Sequence, residues 1–170
     1  MKVILYMTTT LNGYIATATD GTPWSDESWA SYAKKVQEVQ NIVIGRRTYE
    51  VMKACNEFER IGHPFTVVVS SGEHEPNANC VFVHSPEEAL DVLQAKGFSE
   101  VLVGGGGMLN AYFMQKGLID EIYIDVEPLV FGKGIPLFAE SDFDAHLELI
   151  NTKQLSKNTV QLHYRVKKYN

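Results

Sequence analysis

Three short stretches of this 170-residue chain carry residue types suited to gripping phosphate. In the segment VLVGGGGMLNAYF, residues 101–113, three apolar residues run into Gly104, Gly105, Gly106 and Gly107 and then into a helical pattern opening at Met108. A strand that stops at glycines before a helix brings bare backbone N–H groups and a helix N-terminus to one point, which attracts anions. Glycine lets a ligand approach closely and takes positive φ where a turn needs it. A flexible or tightly packed turn is the plainer explanation of such a run. Gly45-Arg46-Arg47-Thr48 places two guanidinium groups and a hydroxyl at a helix start, suited to a bidentate hold on phosphate, although paired arginines also occur on solvated faces. Ser70-Ser71 closes the apolar run FTVVV. Neither the P-loop nor the full dinucleotide fingerprint is present, because no Lys-Ser/Thr follows the glycines and no G-x-G-x-x-G has its acidic partner.

Carboxylates and aromatics supply the other candidate chemistry. Asp125 and Glu127 share one face of an alternating strand and could bind or protonate a substrate. A solvated face or a dimer contact accounts for them equally. Asp26 and Glu27 sit where helix-start charges are favoured. Trp24 and Trp29 could form an aromatic wall or belong to the core.

The elements that must position these groups follow from pattern. Residues 2–8 read as the first strand and 11–24 as a long loop of the kind that often carries function. Ser25 caps an amphipathic helix over about 26–39. Residues 42–44 form a short buried strand, with a helix near Thr48 carrying Tyr49, Val51 and Met52. FTVVV (65–69) is a central strand, 73–79 a polar turn region, and 80–83 a further strand. Ser85-Pro86-Glu87-Glu88 is a capping box whose helix stops at Gly97. The helix from Met108 ends near Gly117, and 119–127 alternates strictly, Ile122, Ile124 and Val126 against Tyr123, Asp125 and Glu127. FGKGIPLF (131–138) reads as a loop, and the tail as a hairpin with strands near 146–154 and 159–167. Helices alternating with strands imply an α/β fold: a mostly parallel central sheet flanked by helices, with an antiparallel C-terminal hairpin. Strand carboxyl ends then share one edge, where ligands bind in open sheets.

Composition narrows the function classes. The chain is 45% hydrophobic with a net charge of -6, so broad nucleic-acid binding is not expected. No run reaches the ~18 apolar residues of a membrane span, and no signal peptide is expected at the N-terminus. Two cysteines and five histidines without ligand spacing give neither a disulfide framework nor a metal site, and fit a reducing cytoplasm.

Gly45-Arg-x-Thr opening a helix, Ser70-Ser71 after a strand, the glycine run and Pro23-Trp24 resemble the dihydrofolate-reductase-like fold. Leu11-Asn12-Gly13 and GLIDEIYIDVEPLVFGKGIPLF (117–138) are most similar to the C-terminal reductase domain of riboflavin-biosynthesis bifunctional deaminase-reductases and its single-domain relatives. The resemblance covers nearly the whole chain, one domain over 1–170. It implies an NADPH-dependent reductase, similar to 5-amino-6-(5-phosphoribosylamino)uracil reductase, acting on a small heterocyclic or carbonyl/imine molecule. Arg46, Arg47, Thr48, Ser70 and Ser71 would hold the pyrophosphate and 2′-phosphate. Gly104 to Gly107, Met108 and Leu109 would line the rest of the cofactor, with Ile15 and Ala16 near the nicotinamide. Substrate-side candidates are Asn12, Trp24, Glu27 and Trp29. The resemblance also implies a homodimer, with strands such as 119–127 free to pair, and a cis peptide at Gly104-Gly105.

Two positions depart from the pattern. Dihydrofolate reductases carry an acid five residues after the tryptophan of Pro-Trp, and here that position is Trp29, which cannot accept a pterin N–H. The riboflavin-pathway group commonly has Asp at Asn12. No H-x-E is followed by P-C-x-x-C, so the deaminase signature is missing. A protein that binds NADP(H) without catalysis is the alternative from another functional class.

Overall fold

The computed structural model describes residues 1–72 and 79–168. Most of the polar turn expected over 73–79 falls outside them. The main sheet has eight strands in the order β5-β4-β3-β6-β1-β7-β10-β9. These are β1 (Lys2–Thr10), β3 (Asn41–Gly45), β4 (Phe65–Val69), β5 (Cys80–Val83), β6 (Glu100–Val103), β7 (Glu121–Glu127), β9 (Leu147–Gln154) and β10 (Val160–Val166). The strands from β5 to β7 run parallel, and β10 and β9 continue antiparallel. The expected α/β architecture with its C-terminal hairpin is the one observed.

Alternation along β1 shows how the sheet is sandwiched. Val3 and Leu5 join Val43, Val67, Val101 and Val103 under α4 (Pro86–Ala95) and α5 (Gly107–Gln115), where Leu93 and Phe113 are buried. Ile4 and Tyr6 join Ile42, Ile44, Val68 and Leu102 on the other face. There α1 (Asp26–Val39), α2 (Arg46–Ala54) and α3 (Glu57–Ile61) contribute Val36, Val39, Met52 and Ile61. Burying each of these large side chains contributes roughly 1.5–3 kcal/mol, so both helical layers are clamped to one sheet.

Of the five helices among the described residues, α1 and α4 start with side-chain caps, and α2, α3 and α5 do not. Ser25 accepts from the Ser28 N–H at 3.3 Å, and Gln40 closes α1 in the left-handed region. Ser85 accepts from the Glu88 N–H at 3.1 Å, while Glu88 reaches back to the His84 N–H at 2.9 Å, one residue beyond an ideal capping box. By contrast, α2 begins at Gly45 and α5 at Gly106, neither of which supplies a side-chain cap. Their first N–H groups are left for another partner.

Four expectations need correction. The segment FGKGIPLF is not wholly a loop: β8 (Gly134–Pro136) pairs antiparallel with β2 (Tyr14–Thr17), inside the segment read as the 11–24 loop. Strand 119–127 is not available to a second copy, because β7 is hydrogen-bonded between β1 and β10. The third concerns 55–64, where the sequence suggested no element and α3 forms. Finally, the cis peptide joins Gly105 and Gly106 instead of Gly104 and Gly105. Gly104 still donates to Val43 O at 2.9 Å, so it continues the sheet and the turn starts one residue later.

Candidate active site

Strand register brings the three phosphate-type stretches together. Val43 pairs with Val103, Gly45 with Val69, and Val69 with Val83, so β6, β3, β4 and β5 end side by side. The next residues are the glycine turn, Arg46, Ser70 and His84. Gly104, Gly106 and Gly107 of that turn, with Arg46, Ser70 and His84, line one cleft of about 810 Å³ at the carboxyl edge of the sheet. That placement is the one expected for a ligand in an open α/β sheet.

The glycine turn is built to approach its neighbours closely. Gly105 has φ +94, and its carbonyl accepts from the Gly45 N–H at 2.8 Å, joining the two glycine-led helix starts. A Cβ on Gly107 would run into the Pro136 carbonyl oxygen. One on Gly106 would come within 3.3 Å of the Thr48 hydroxyl and 3.9 Å of Ile15. Thus the uncapped N-termini of α2 and α5 and the β2 side chain Ile15 surround the same space. Arg46 pairs with Glu50, and the exposed Arg47 with the half-buried Asp20 at 2.8 Å. Such surface pairs contribute roughly 0–1 kcal/mol, so they yield readily to a phosphate that offers charge-assisted bonds. His84 Nδ1 lies 3.1 Å from Ser70 O.

Of the cofactor-side residues expected from sequence, Ile15, Ala16, Gly45, Arg46, Arg47, Thr48, Ser70, Ser71, Gly104, Gly106, Gly107, Met108 and Leu109 all line the cleft. Gly105 supports the turn without lining it. Among the substrate-side candidates, Trp24 and Trp29 line the cleft. Asn12 lies outside it: its amide donates to Phe131 O at 2.7 Å and its carbonyl accepts from Thr10 and Phe131, stapling two loops. Glu27 is exposed on the first turn of α1.

Neither Asp125 nor Glu127 is on a solvated face, and neither lines the cleft. Asp125 is fully buried and accepts from Tyr6 Oη and from Gln161 Nε2, each at 2.8 Å. Burial pushes its carboxyl up to about 6, against the lowering effect of the Gln161 and Tyr6 hydrogen bonds and with a further rise from nearby Glu127. Glu127 Oε1 accepts from the Ser25 N–H at 3.0 Å, Ser25 Oγ at 2.6 Å and Ser28 Oγ at 2.5 Å. Glu127 therefore ties β7 to the start of α1, whereas Asp125 ties β7 to β1 and β10.

Two carboxylates that the sequence reading passed over reach the cleft, Asp20, paired with Arg47, and Glu57. Glu57, on α3, is only 8% exposed and sits by Thr22 and Tyr32. Burial pushes its pKa up, opposed by the Arg60 charge and a hydrogen bond with Thr22. Among the described residues no His/Cys/Asp/Glu group could hold a metal ion.

Residues 1–161 match the model of the RibD C-terminal domain. The chain belongs to that family. An uncharacterised Bacillus subtilis protein, YwjB, is 34% identical over 170 residues, covering 96% of this chain and 97% of its own. Dihydrofolate reductase type 1 of Escherichia coli is 31% identical over 134 residues, covering 75% of this chain and 78% of its own. A solved Shewanella sp. PV-4 structure, named for riboflavin biosynthesis, superposes with a TM-score of 0.81 at 24% identity, covering 99% of this chain and 100% of that one. The RibD C-terminal domain and dihydrofolate reductase thus share this fold, as the glycine run, Gly45-Arg-x-Thr and the 117–138 segment suggested. Membership fixes the family and leaves the substrate open, because the chain departs from both patterns at Asn12 and Trp29.

Proposed function

We propose that this RibD C-terminal-type domain is an NADPH-dependent oxidoreductase acting on a small heterocyclic or carbonyl/imine substrate. The observation that carries the reading is the meeting of two uncapped helix N-termini, Arg46, Arg47 and Ser70 at one strand edge. Such a set suits an anionic dinucleotide, since N–H groups and guanidinium groups converge where its phosphates would lie. NADPH would supply a hydride from its nicotinamide C4. In this reading Arg46, Arg47, Thr48, Ser70 and Ser71 hold the phosphates. The glycines allow close approach of the backbone, and Ile15 and Ala16 exclude water beside the nicotinamide. Holding donor and acceptor carbons together in that dry space accounts for the rate gain.

Fluorescence titration with NADPH tests this. Saturable binding is expected, and none at millimolar cofactor would overturn the proposal. Arg46→Ala should weaken NADPH by about tenfold while changing NADH by much less. Equal losses would remove the 2′-phosphate from Arg46.

A second reading, an NADP(H)-binding protein without catalysis, is favoured by Trp29 at the acidic position and by the burial of Asp125 and Glu127 away from the cleft. Tight NADPH binding with no turnover of pterins, flavin precursors or aldehydes would select it.

A further inference from the structure

The carboxyl edge of the sheet offers an anion different partners from one strand to the next. At β6 and β3 they are main-chain N–H groups, because α5 and α2 start uncapped at Gly106 and Gly45. Two strands beyond β3, after β5, the main chain is already engaged. Ser85 caps α4, Pro86 has no N–H, and Glu88 accepts from the His84 N–H at 2.9 Å. From this strand end His84 and Pro86 line the cleft among the described residues, so the imidazole is the side chain there that can hydrogen-bond. Its tautomer follows from geometry. Nδ1 lies 3.1 Å from Ser70 O, and a carbonyl oxygen only accepts, so Nδ1 carries the hydrogen. Nε2, across the ring, is left for solvent or a ligand. A neutral ring offers an acceptor lone pair at Nε2, whereas the imidazolium offers an N–H and a positive charge.

We infer that His84 is a pH-dependent selector at the outer end of the cleft. Protonated, it adds a charge-assisted bond to a phosphomonoester held at the ends of β4 and β5; neutral, it withholds that bond. The inference rests on the preceding reading of the cleft as an NADPH site and adds how acidity changes its preference for a 2′-phosphorylated dinucleotide. Strand order supports the placement. Ile15, at the nicotinamide end, adjoins Gly106 after β6. From there β5 is three strands away, roughly 14 Å at about 4.8 Å per strand. A pyrophosphate at the starts of α5 and α2 therefore leaves the outermost phosphate to Ser70, Ser71 and His84. Among the described residues the charged groups on the surrounding elements are Glu87 and Glu88 on the first turn of α4, and Arg46 and Arg47 on α2; Tyr112 on α5 lines the same cleft. The two glutamates oppose a dianion, and a charged imidazole offsets them. A phosphomonoester itself takes up a proton near about pH 6, which weakens its hold on the arginines as pH falls. His84 acts in the opposite sense, so the two effects separate by sign.

Calorimetric titration with NADP⁺ and NAD⁺ at about pH 8 and about pH 5.5, in wild type, His84→Gln and His84→Lys, tests this. At the higher pH wild type should bind NADP⁺ within about twofold of His84→Gln, and at the lower about fivefold more tightly. NAD⁺, which lacks the 2′-phosphate, should show no such divergence. His84→Lys, a permanent cation, should keep the advantage over His84→Gln at both pH values and approach wild type only at the lower. The comparison of wild type with His84→Lys stands alone if His84→Gln folds poorly. A ratio of wild-type to variant affinity that stays constant with pH, or the same divergence with NAD⁺, would overturn the inference and leave the cofactor reading intact. No binding of either nucleotide at millimolar concentration would overturn the cofactor reading and this inference with it.

Discussion

Asp125 shows why residue type and spacing alone mislead about role. It sits on the expected strand face, yet α1 covers that face, and Tyr6, Ser31 and Gln161 enclose the carboxyl in a hydrogen-bonded network. Alternation reports which face a side chain occupies and nothing about a helix that folds over it. The same limit hid the bonds of Glu127 to Ser25 and Ser28, about a hundred residues away in sequence. The raised pKa of Asp125 gives a signed prediction. The unfolded chain releases this proton near the ordinary 3.8, whereas the folded protein keeps it up to about 6. Its contribution to stability is therefore full below the unfolded value and is lost as pH rises through the folded one. Wild type should lose on the order of 2–3 kcal/mol relative to Asp125→Asn between the two limits. Urea unfolding of both proteins on either side of that window measures the difference, and a constant gap would show that Asp125 titrates normally. Arg46, Ser70 and the glycines were legible because their chemistry is local: each follows directly from a strand end.

At the scale of elements, legibility followed length and capping. The helix over 26–39 was read with the observed bounds because Ser25, the acidic first turn and a long apolar stripe all agree. The elements α3, β2 and β8, of five, four and three residues, are too short to show a period and form through contacts with distant segments. Glu57 was missed for that reason, though the pair Asn56-Glu57 ahead of Phe58 and Ile61 is a faint helix-start signal. Ser25 makes a sharper test of how elements are joined, since it caps α1 and also donates to Glu127 at the end of β7. Ser25→Ala should cost about 2–3 kcal/mol, against about 1 kcal/mol for Ser85→Ala, which removes a cap alone. Equal losses in chemical denaturation would mean that the link to β7 contributes nothing.

For the molecule as a whole, the sequence suggested a parallel sheet with its ligand edge but not the strand order, in which β6 inserts between β3 and β1. That insertion places the glycine turn beside Gly45, a neighbour some sixty residues earlier in the chain. A cofactor spanning β6, β3 and β4 should therefore brace the entire domain. NADPH at a hundredfold excess over its Kd should stabilise the fold by about 2.7 kcal/mol and raise the unfolding midpoint by roughly 5–10 °C. No shift in a thermal melt, despite binding, would mean that the folded and unfolded chains bind the cofactor alike. The surroundings of Ile15 have a further mechanical meaning. From β2 the chain of contacts passes to β8, to Gly107 through the Ala139 amide, to Gly45 through the Gly105 carbonyl, and back through Arg47 to Asp20 just after β2. Main-chain hydrogen bonds close every joint of this hoop except the last, an ion pair of marginal strength. That clasp is the one side-chain joint of the rim, so a phosphate that drew Arg47 away from Asp20 would unfasten it.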